Sequence, residues 1–296
     1  MAPTPKPYDP SSEVCPMIEE IPERLDEQHH FTTLTLGFLL HPSIPPPSPT
    51  AKIADIGTGT GIFLLSLAAT LPSTVHLTGF DVTPSGFPAT HPPNVSFRLQ
   101  DMFQPFPDDE IGTYDVVAVR FVSSATTRTE WARAVRNLMT LLRPGGWLQW
   151  IESCNFALYN EVAGTSRRAC QEVWGGLRPF REKEDVVVGL MSREGSAEGV
   201  GREEVWRGCG LQDVREDVFS SDRLRDEASR GLRETGTRNV MECFLGCLEE
   251  LVGVEGSGWT RERIERLKGE VGREIDDGVY HTLDQVCMVG RKPEGS

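Results

Sequence analysis

The sequence predicts an α/β chain built on a doubly wound, mostly parallel sheet, and three observations carry that reading. Apolar strand-like runs alternate with helix-period segments from about residue 50 to residue 151. One of those runs, Ile53-Ala54-Asp55-Ile56, ends in alternating glycines at 57, 59 and 61 and passes at once into the apolar Ile62-Phe63-Leu64-Leu65. Acids then close the next two runs, at Asp81 and Asp101, where open parallel sheets present their carboxyl edge to ligands.

Before the sheet, Met1–Ser12 is rich in proline and polar residues, has no apolar core, and does not read as a leader. Residues 1–15 are expected to be extended or disordered, and 16–40 to form a helix followed by a proline connector that ends at residue 49. Ile21, Leu25, Leu36 and Leu39 share one stripe at a period of 3.6. Gln28 and Thr32 fall in the middle of that stripe and His29 at its edge. Polar groups on a buried face need partners, either ordinary core groups or a polar ligand beneath the helix.

The glycine turn comes next. Glycine leaves room for close backbone approach, and the amides of the following helix face whatever lies in the turn. A dinucleotide fingerprint would read G-x-G-x-x-G, whereas the third glycine here comes one residue early. Val75–Phe80 is then a strand ending in Asp81, Val95–Leu99 one followed by Asp101, and Tyr114–Val119 one ending in Arg120. Glu130–Leu142 is a helix that Arg143-Pro144-Gly145-Gly146 breaks before the strand Trp147–Ile151. Gly164–Met191 reads as helix and loop, and Glu203–Gly208 as a last helical turn before the strand Leu211–Phe219. Residues 222–278 are helix-compatible but interrupted by glycines at 231, 236, 246 and 253–258, and Tyr280–Gly290 is a final strand.

Bulk composition limits the partners. Thirty basic against 44 acidic residues give the 296-residue chain a formal charge of −14, which repels nucleic-acid phosphates. The denser basic stretches are interleaved with glutamates and read as solvated helix faces. No apolar run reaches the ~18 residues of a membrane span. Seven cysteines are scattered, and only Cys243 and Cys247 are near neighbours, with no second pair to complete a zinc site. A cytoplasmic protein with reduced thiols, no metal, no nucleic-acid partner and no membrane is expected. Monomer and homodimer both stay open.

Four elements coincide in order: Asp55–Gly61, Gly79-Phe80-Asp81-Val82, Leu99-Gln100-Asp101-Met102 and Leu142-Arg143-Pro144-Gly145-Gly146-Trp147. This set resembles the class I S-adenosylmethionine-dependent methyltransferases. Glu23–His29, Leu39-Leu40-His41-Pro42 and Trp147-Leu148-Gln149-Trp150 further resemble a fungal branch that acts in secondary metabolism and includes the gliotoxin-pathway N-methyltransferase. The resemblance implies a seven-stranded sheet with an antiparallel last strand, a methyltransferase core over 50–221 and 279–292, and S-adenosylmethionine as cofactor. It leaves 222–278 as a helical insertion, expected with the 16–40 helix to form a lid over a small-molecule acceptor.

By the same resemblance, Gly57, Thr58, Gly59 and Gly61 approach the methionine and ribose of the cofactor. Asp55 stands near its amino-acid end or caps the turn, and Asp81, with Val82 after it, accepts from the ribose hydroxyls. Asp101 accepts from the adenine amino group while Met102 packs on the ring, and Phe121 lies with Arg120 beneath the sulfonium. Arg120 meets the cofactor carboxylate or a nearby acid such as Asp55, and Gln28 supplies a polar group from the first helix. Glu152, after a strand, and His281, opening the last one, are the candidate bases. Val119-Arg120-Phe121-Val122 lacks the Asn/Asp-Pro-Pro-aromatic pattern of enzymes that methylate base amines. Three readings stand: small-molecule methyl transfer to O, N or S; a cofactor-binding protein with a rearrangement or regulatory role; and a nicotinamide oxidoreductase, disfavoured by the early third glycine and by Asp101.

Overall fold

In the computed structural model, which describes residues 22–122, 126, 128–177, 202–254 and 256–295, the strand-like runs assemble into one seven-stranded sheet. Helix α1 (Pro22–Leu36) precedes β1 (Lys52–Ile56), α2 (Ile62–Thr70), β2 (His76–Asp81), β3 (Val95–Leu99) and β4 (Tyr114–Arg120). Then follow α3 (Arg128–Leu141), β5 (Leu142–Asn160), α4 (Arg168–Gly176), α5 (Arg202–Gly208) and β6 (Gln212–Ser220). Two short 3₁₀ turns lead into α6 (Arg230–Glu249), α7 (Arg261–Asp276) and β7 (Val279–Arg291). The strand order is β3-β2-β1-β4-β5-β7-β6, and β7 runs antiparallel to both of its neighbours.

Strands β1 and β4 are buried almost throughout because helices cover both faces of the sheet. On one face α2 sets Phe63, Leu64 and Leu67 against Ile53, Leu77 and Val116. On the other, α3 and α5 bring Trp131, Leu138 and Trp206 against Val117, Leu148 and Trp150. The chain turns outward in opposite directions after β1 and after β4. That reversal opens a crevice at their carboxyl ends, the usual ligand position in such sheets.

Three elements differ from the sequence reading. The first helix ends at Leu36 rather than at residue 40, because Gly37 at φ +82 donates back to the Thr33 carbonyl; residues 16–21 lie outside the described residues. The fifth strand does not stop at Ile151 but continues to Asn160. A β-bulge between Cys154 and Ala157, with Asn155 at φ 50, carries it past the sheet edge, where it pairs with the first half of β7 as a two-stranded ribbon. The glycines at 231, 236 and 246 do not interrupt α6. Of the Gly164–Met191 segment, residues from 178 onward lie outside the described residues.

Helices α4, α6 and α7 pack on the ribbon around their own core of Val173, Met241, Leu245, Leu248, Leu267, Val271 and Ile275. Glu274 of α7 ties this layer together. Its carboxylate accepts from the Ala169 and Cys170 amides and the Ser166 hydroxyl, at 3.1, 3.0 and 2.7 Å, serving the open N-terminus of α4. No helix among the described residues is long and apolar enough to cross a membrane.

Candidate functional site

The glycine turn is pinned before any ligand is considered. The amides of Gly57 and Thr58 both donate to the Phe80 carbonyl, at 2.9 and 3.1 Å, so the turn is fastened to the end of β2. Gly57, Gly59 and Gly61 all lie at positive φ, between +53 and +72. A Cβ on Gly57 would stand 2.6 Å from Cγ1 of Val122, and one on Gly61 2.5 Å from the Phe97 ring. The three glycines are therefore demanded by backbone conformation, and two of them by space as well.

The acids line the same edge. Asp81 accepts from the Gly59 amide through Oδ2 at 2.9 Å and from the Thr83 amide through Oδ1 at 3.2 Å, leaving lone pairs on both oxygens. Asp101 accepts from the Phe103 amide at 2.8 Å, and Met102 beside it is buried. Val82 and Leu99 are 46 % and 60 % exposed, an apolar surface next to two carboxylates. That mixture suits a nucleoside: hydroxyls and an amino group for the acids, a flat ring for the apolar side chains.

A buried charge pair closes the other end. Asp55 is 1 % exposed; its Oδ2 accepts from the Thr58 hydroxyl at 2.8 Å, whereas its Oδ1 has no hydrogen-bond partner among the described residues. Burial raises the Asp55 carboxyl to about 6, against the pull of the Arg120 guanidinium and the Thr58 bond. Arg120 ends β4 with its guanidinium 4.2 Å above the Phe63 ring. Burial lowers its pKa and the Asp55 charge opposes that, while its Nε is buried and likewise unpartnered among the described residues. An unpaired carboxylate oxygen and an unpaired guanidinium nitrogen at one sheet edge match a zwitterionic amino acid, with ammonium toward Asp55 and carboxylate toward Arg120. The donor set thus fits the amino-acid end of the cofactor expected from the sequence.

Helix α1 lies across this edge. Leu25 is the side chain nearest to a Cβ built on Gly59, at 3.3 Å, and the Thr60 hydroxyl donates to Asp26 at 2.7 Å. His29 bonds the Ser66 hydroxyl through Nε2 and an Nη1 of Arg120 through Nδ1, both at 2.9 Å. Arginine can only donate, so Nδ1 is the acceptor and Nε2 carries the proton. The sequence placed His29 at the edge of the stripe without giving it a site role and did not single out Asp26, whereas it pointed to Gln28, which is half-buried here. The only available signal was the position of His29 at the edge of the apolar stripe.

The two candidate bases are not brought together. Glu152 stands opposite Val286 and His281 opposite Leu158, so they lie five steps apart along β7, about 16 Å at ~3.3 Å per residue. Oε1 of the buried Glu152 accepts from the Val122 amide at 2.9 Å and the Trp150 indole at 3.0 Å, which fastens the loop after β4. Within that loop Phe121 holds a left-handed φ of 55°, a strained conformation for a side chain of its size.

His281 is out on the ribbon rather than at the sheet edge, because β5 and β7 extend beyond it. Its ring stacks on Phe31 and Phe156, with centroids at 5.7 and 5.6 Å, and its Nδ1 lies 2.9 Å from the Thr237 hydroxyl. Burial pushes this candidate base down to about 4, making it a weak base and a neutral hydrogen-bonding group.

Acid stability follows from the same burial. His29 is also held at about 4, by burial and by the charges of Arg120 and His30. Unfolded imidazoles titrate near 6.5, so the unfolded chain binds more protons between pH 6.5 and 4, and stability falls as pH drops through that window. Each histidine contributes on the order of 3 kcal/mol to this slope. Asp55 acts in the opposite sense, since its raised folded value favours the fold at low pH and loses that advantage as pH rises through about 6. Urea midpoints measured from pH 7 to 4.5 should therefore fall, and more shallowly in a His281→Gln chain; equal slopes would contradict the buried neutral imidazole.

Residues 54–148 match the model of a methyltransferase domain. The methyltransferase grgD of a Penicillium species is 31 % identical over 284 residues, covering 91 % of this chain and 92 % of that protein. The N-methyltransferase sirN of Leptosphaeria maculans is 41 % identical over 129 residues, covering 44 % of this chain and 45 % of that protein. A chain of the complex between the Haloferax volcanii Trm112 methyltransferase activator and a methyltransferase shares the fold at a TM-score of 0.50 and 16 % identity, covering 92 % of each chain.

Proposed function

This chain belongs to the class I S-adenosylmethionine-dependent methyltransferases, and from that premise we propose that it methylates an O, N or S atom of a small-molecule natural product. The observation that carries the reading is the pair of unpartnered buried atoms, Asp55 Oδ1 and Arg120 Nε, at the end of the glycine turn. Asp55 and Arg120 would hold the amino-acid end of S-adenosylmethionine, Gly57–Gly61 its middle, Asp81 the ribose, and Asp101, Met102 and Val82 the adenine. Bound there, the cofactor supplies an electrophilic methyl group on a sulfonium. The resemblance to the fungal secondary-metabolism branch supports a small-molecule acceptor, and the N-methyltransferase sirN among the relatives adds nitrogen as a target to try first.

The chain's own part is placement. Glu152 fixes the Val122 amide and, through it, the strained loop over the turn. Helix α1 and the α4–α6–α7 layer are read as a lid over the acceptor, excluding water from the reacting groups. Neutral His281, with its ring among Phe31 and Phe156, is read as an acceptor contact rather than a strong base.

The test combines calorimetry with product analysis. S-adenosylmethionine should bind, and incubation with fungal hydroxyl, amide and thiol metabolites should yield S-adenosylhomocysteine in equal amount to methylated product. Binding without any S-adenosylhomocysteine would move the chain to the rearrangement or regulatory reading. Absence of binding would sink the cofactor assignment.

A further inference from the structure

We propose that His29 of α1 is a positioning residue, which turns the Arg120 guanidinium so that its Nε edge meets the carboxylate of the bound cofactor. The inference rests on the cofactor reading above and deepens it. A guanidinium offers two side edges. On one, Nη1 donates to His29 Nδ1 at 2.9 Å; Nε, on the other, is buried and has no partner among the described residues. The Nε–Nη2 edge is the planar fork that matches a carboxylate with two parallel bonds.

Three contacts set the guanidinium plane. Phe63 lies 4.2 Å beneath it, His29 takes one nitrogen, and the Asp55 charge attracts it without an ion pair that would occupy the fork. His29 is itself oriented by Ser66, whose hydroxyl sits 2.9 Å from Nε2, and by edge contact with Phe63. The ring therefore presents a lone pair at Nδ1 and nothing else to Arg120. A flexible arginine would otherwise swing toward the unpaired Asp55 oxygen and pair with it. Docking of α1 is on this account part of cofactor recognition: the helix supplies the group that keeps anion and cation apart.

The effect is confined to the amino-acid half of the ligand, and that gives the test. S-adenosylhomocysteine carries the carboxylate, whereas 5′-methylthioadenosine has the same nucleoside and sulfur without it. Calorimetry on the full chain should find that His29→Ala weakens S-adenosylhomocysteine at least tenfold and 5′-methylthioadenosine less than twofold. His29→Asn, whose amide oxygen falls near the place of Nδ1, should recover most of the loss.

Equal losses for both nucleosides would mean a collapsed pocket and overturn the proposal. So would unchanged S-adenosylhomocysteine affinity in His29→Ala, or an asparagine variant no better than the alanine one. An unmodified chain that binds neither nucleoside would overturn the cofactor reading itself, and this inference with it.

Discussion

A Gly57→Val chain is expected to bind no S-adenosylhomocysteine at concentrations that saturate the unmodified protein, and to unfold at lower urea by on the order of 3 kcal/mol. Gly57 sits at φ +67, where a β-branched residue is strained. The added Cβ would also stand 2.6 Å from Val122 Cγ1. Val122 cannot easily retreat, because its amide is fastened to Glu152, and Glu152 to the Trp150 indole. Relief must come from moving the turn away from Phe80, which breaks the bonds that hold it to β2.

Gly59→Val provides the contrast. There the neighbour is the flexible end of Leu25 at 3.3 Å, so binding should suffer through the filled cradle with a smaller loss of stability. Calorimetry and urea denaturation on both variants check this. Retained affinity in Gly57→Val, within threefold, would contradict the ligand position.

Arg120→Met is expected to lower S-adenosylhomocysteine affinity by about two orders of magnitude, roughly the 1.5–3 kcal/mol of a hydrogen bond to a charged group. The variant has a second, more specific consequence. Burial already raises Asp55 to about 6, and Arg120 is the main influence pulling it down. Without the guanidinium the carboxyl rises further.

The unmodified protein should thus gain affinity as pH rises through about 6, when Asp55 acquires the charge an ammonium group needs. In Arg120→Met that gain should shift to higher pH. The cost in stability is limited, since Asp55 can take up a proton rather than remain a lone buried anion. Affinities measured from pH 5 to 8 decide the matter; superimposable pH profiles would remove Asp55 from the ligand.

The parts of this site legible in the sequence are those written in consecutive residues. Asp55 to Gly61 is a local motif, Asp81 and Arg120 each end a strand, and Asp101 follows the alternating strand Val95–Leu99 by two residues. The sheet order follows once strands alternate with helices and the motifs fall in their usual sequence. What could not be read depends on docking.

Asn155 looks like the start of a loop, yet it is a bulge in a strand that β7, more than a hundred residues later, continues to pair. Gly236 looks like a helix breaker. It lies within α6, where a Cβ would come 3.4 Å from Phe31 of α1, so its small size serves helix packing. The His29–Arg120 contact joins residues 91 apart through the rotation of α1 about its axis, which a periodic stripe sets only to within a residue or so. The pKa of His281 was unreadable for the same reason: burial is a property of the assembled ribbon, not of the strand.

The strand order also governs when this protein can be finished. Among the described strands β6 has β7 as its only neighbour, and β7 comes after every helix of the α4–α6–α7 layer. While the chain is being synthesised, β6 emerges with no strand beside it, and the helices emerge before the second rail of the ribbon they rest on. The half that carries the glycine turn, β1 to β5, can condense early from near neighbours, whereas the ribbon and its helices wait for residues 279–291. A ribosome stalled before Val279 would therefore hold a formed cradle beside exposed apolar helices, a species for chaperones to shield.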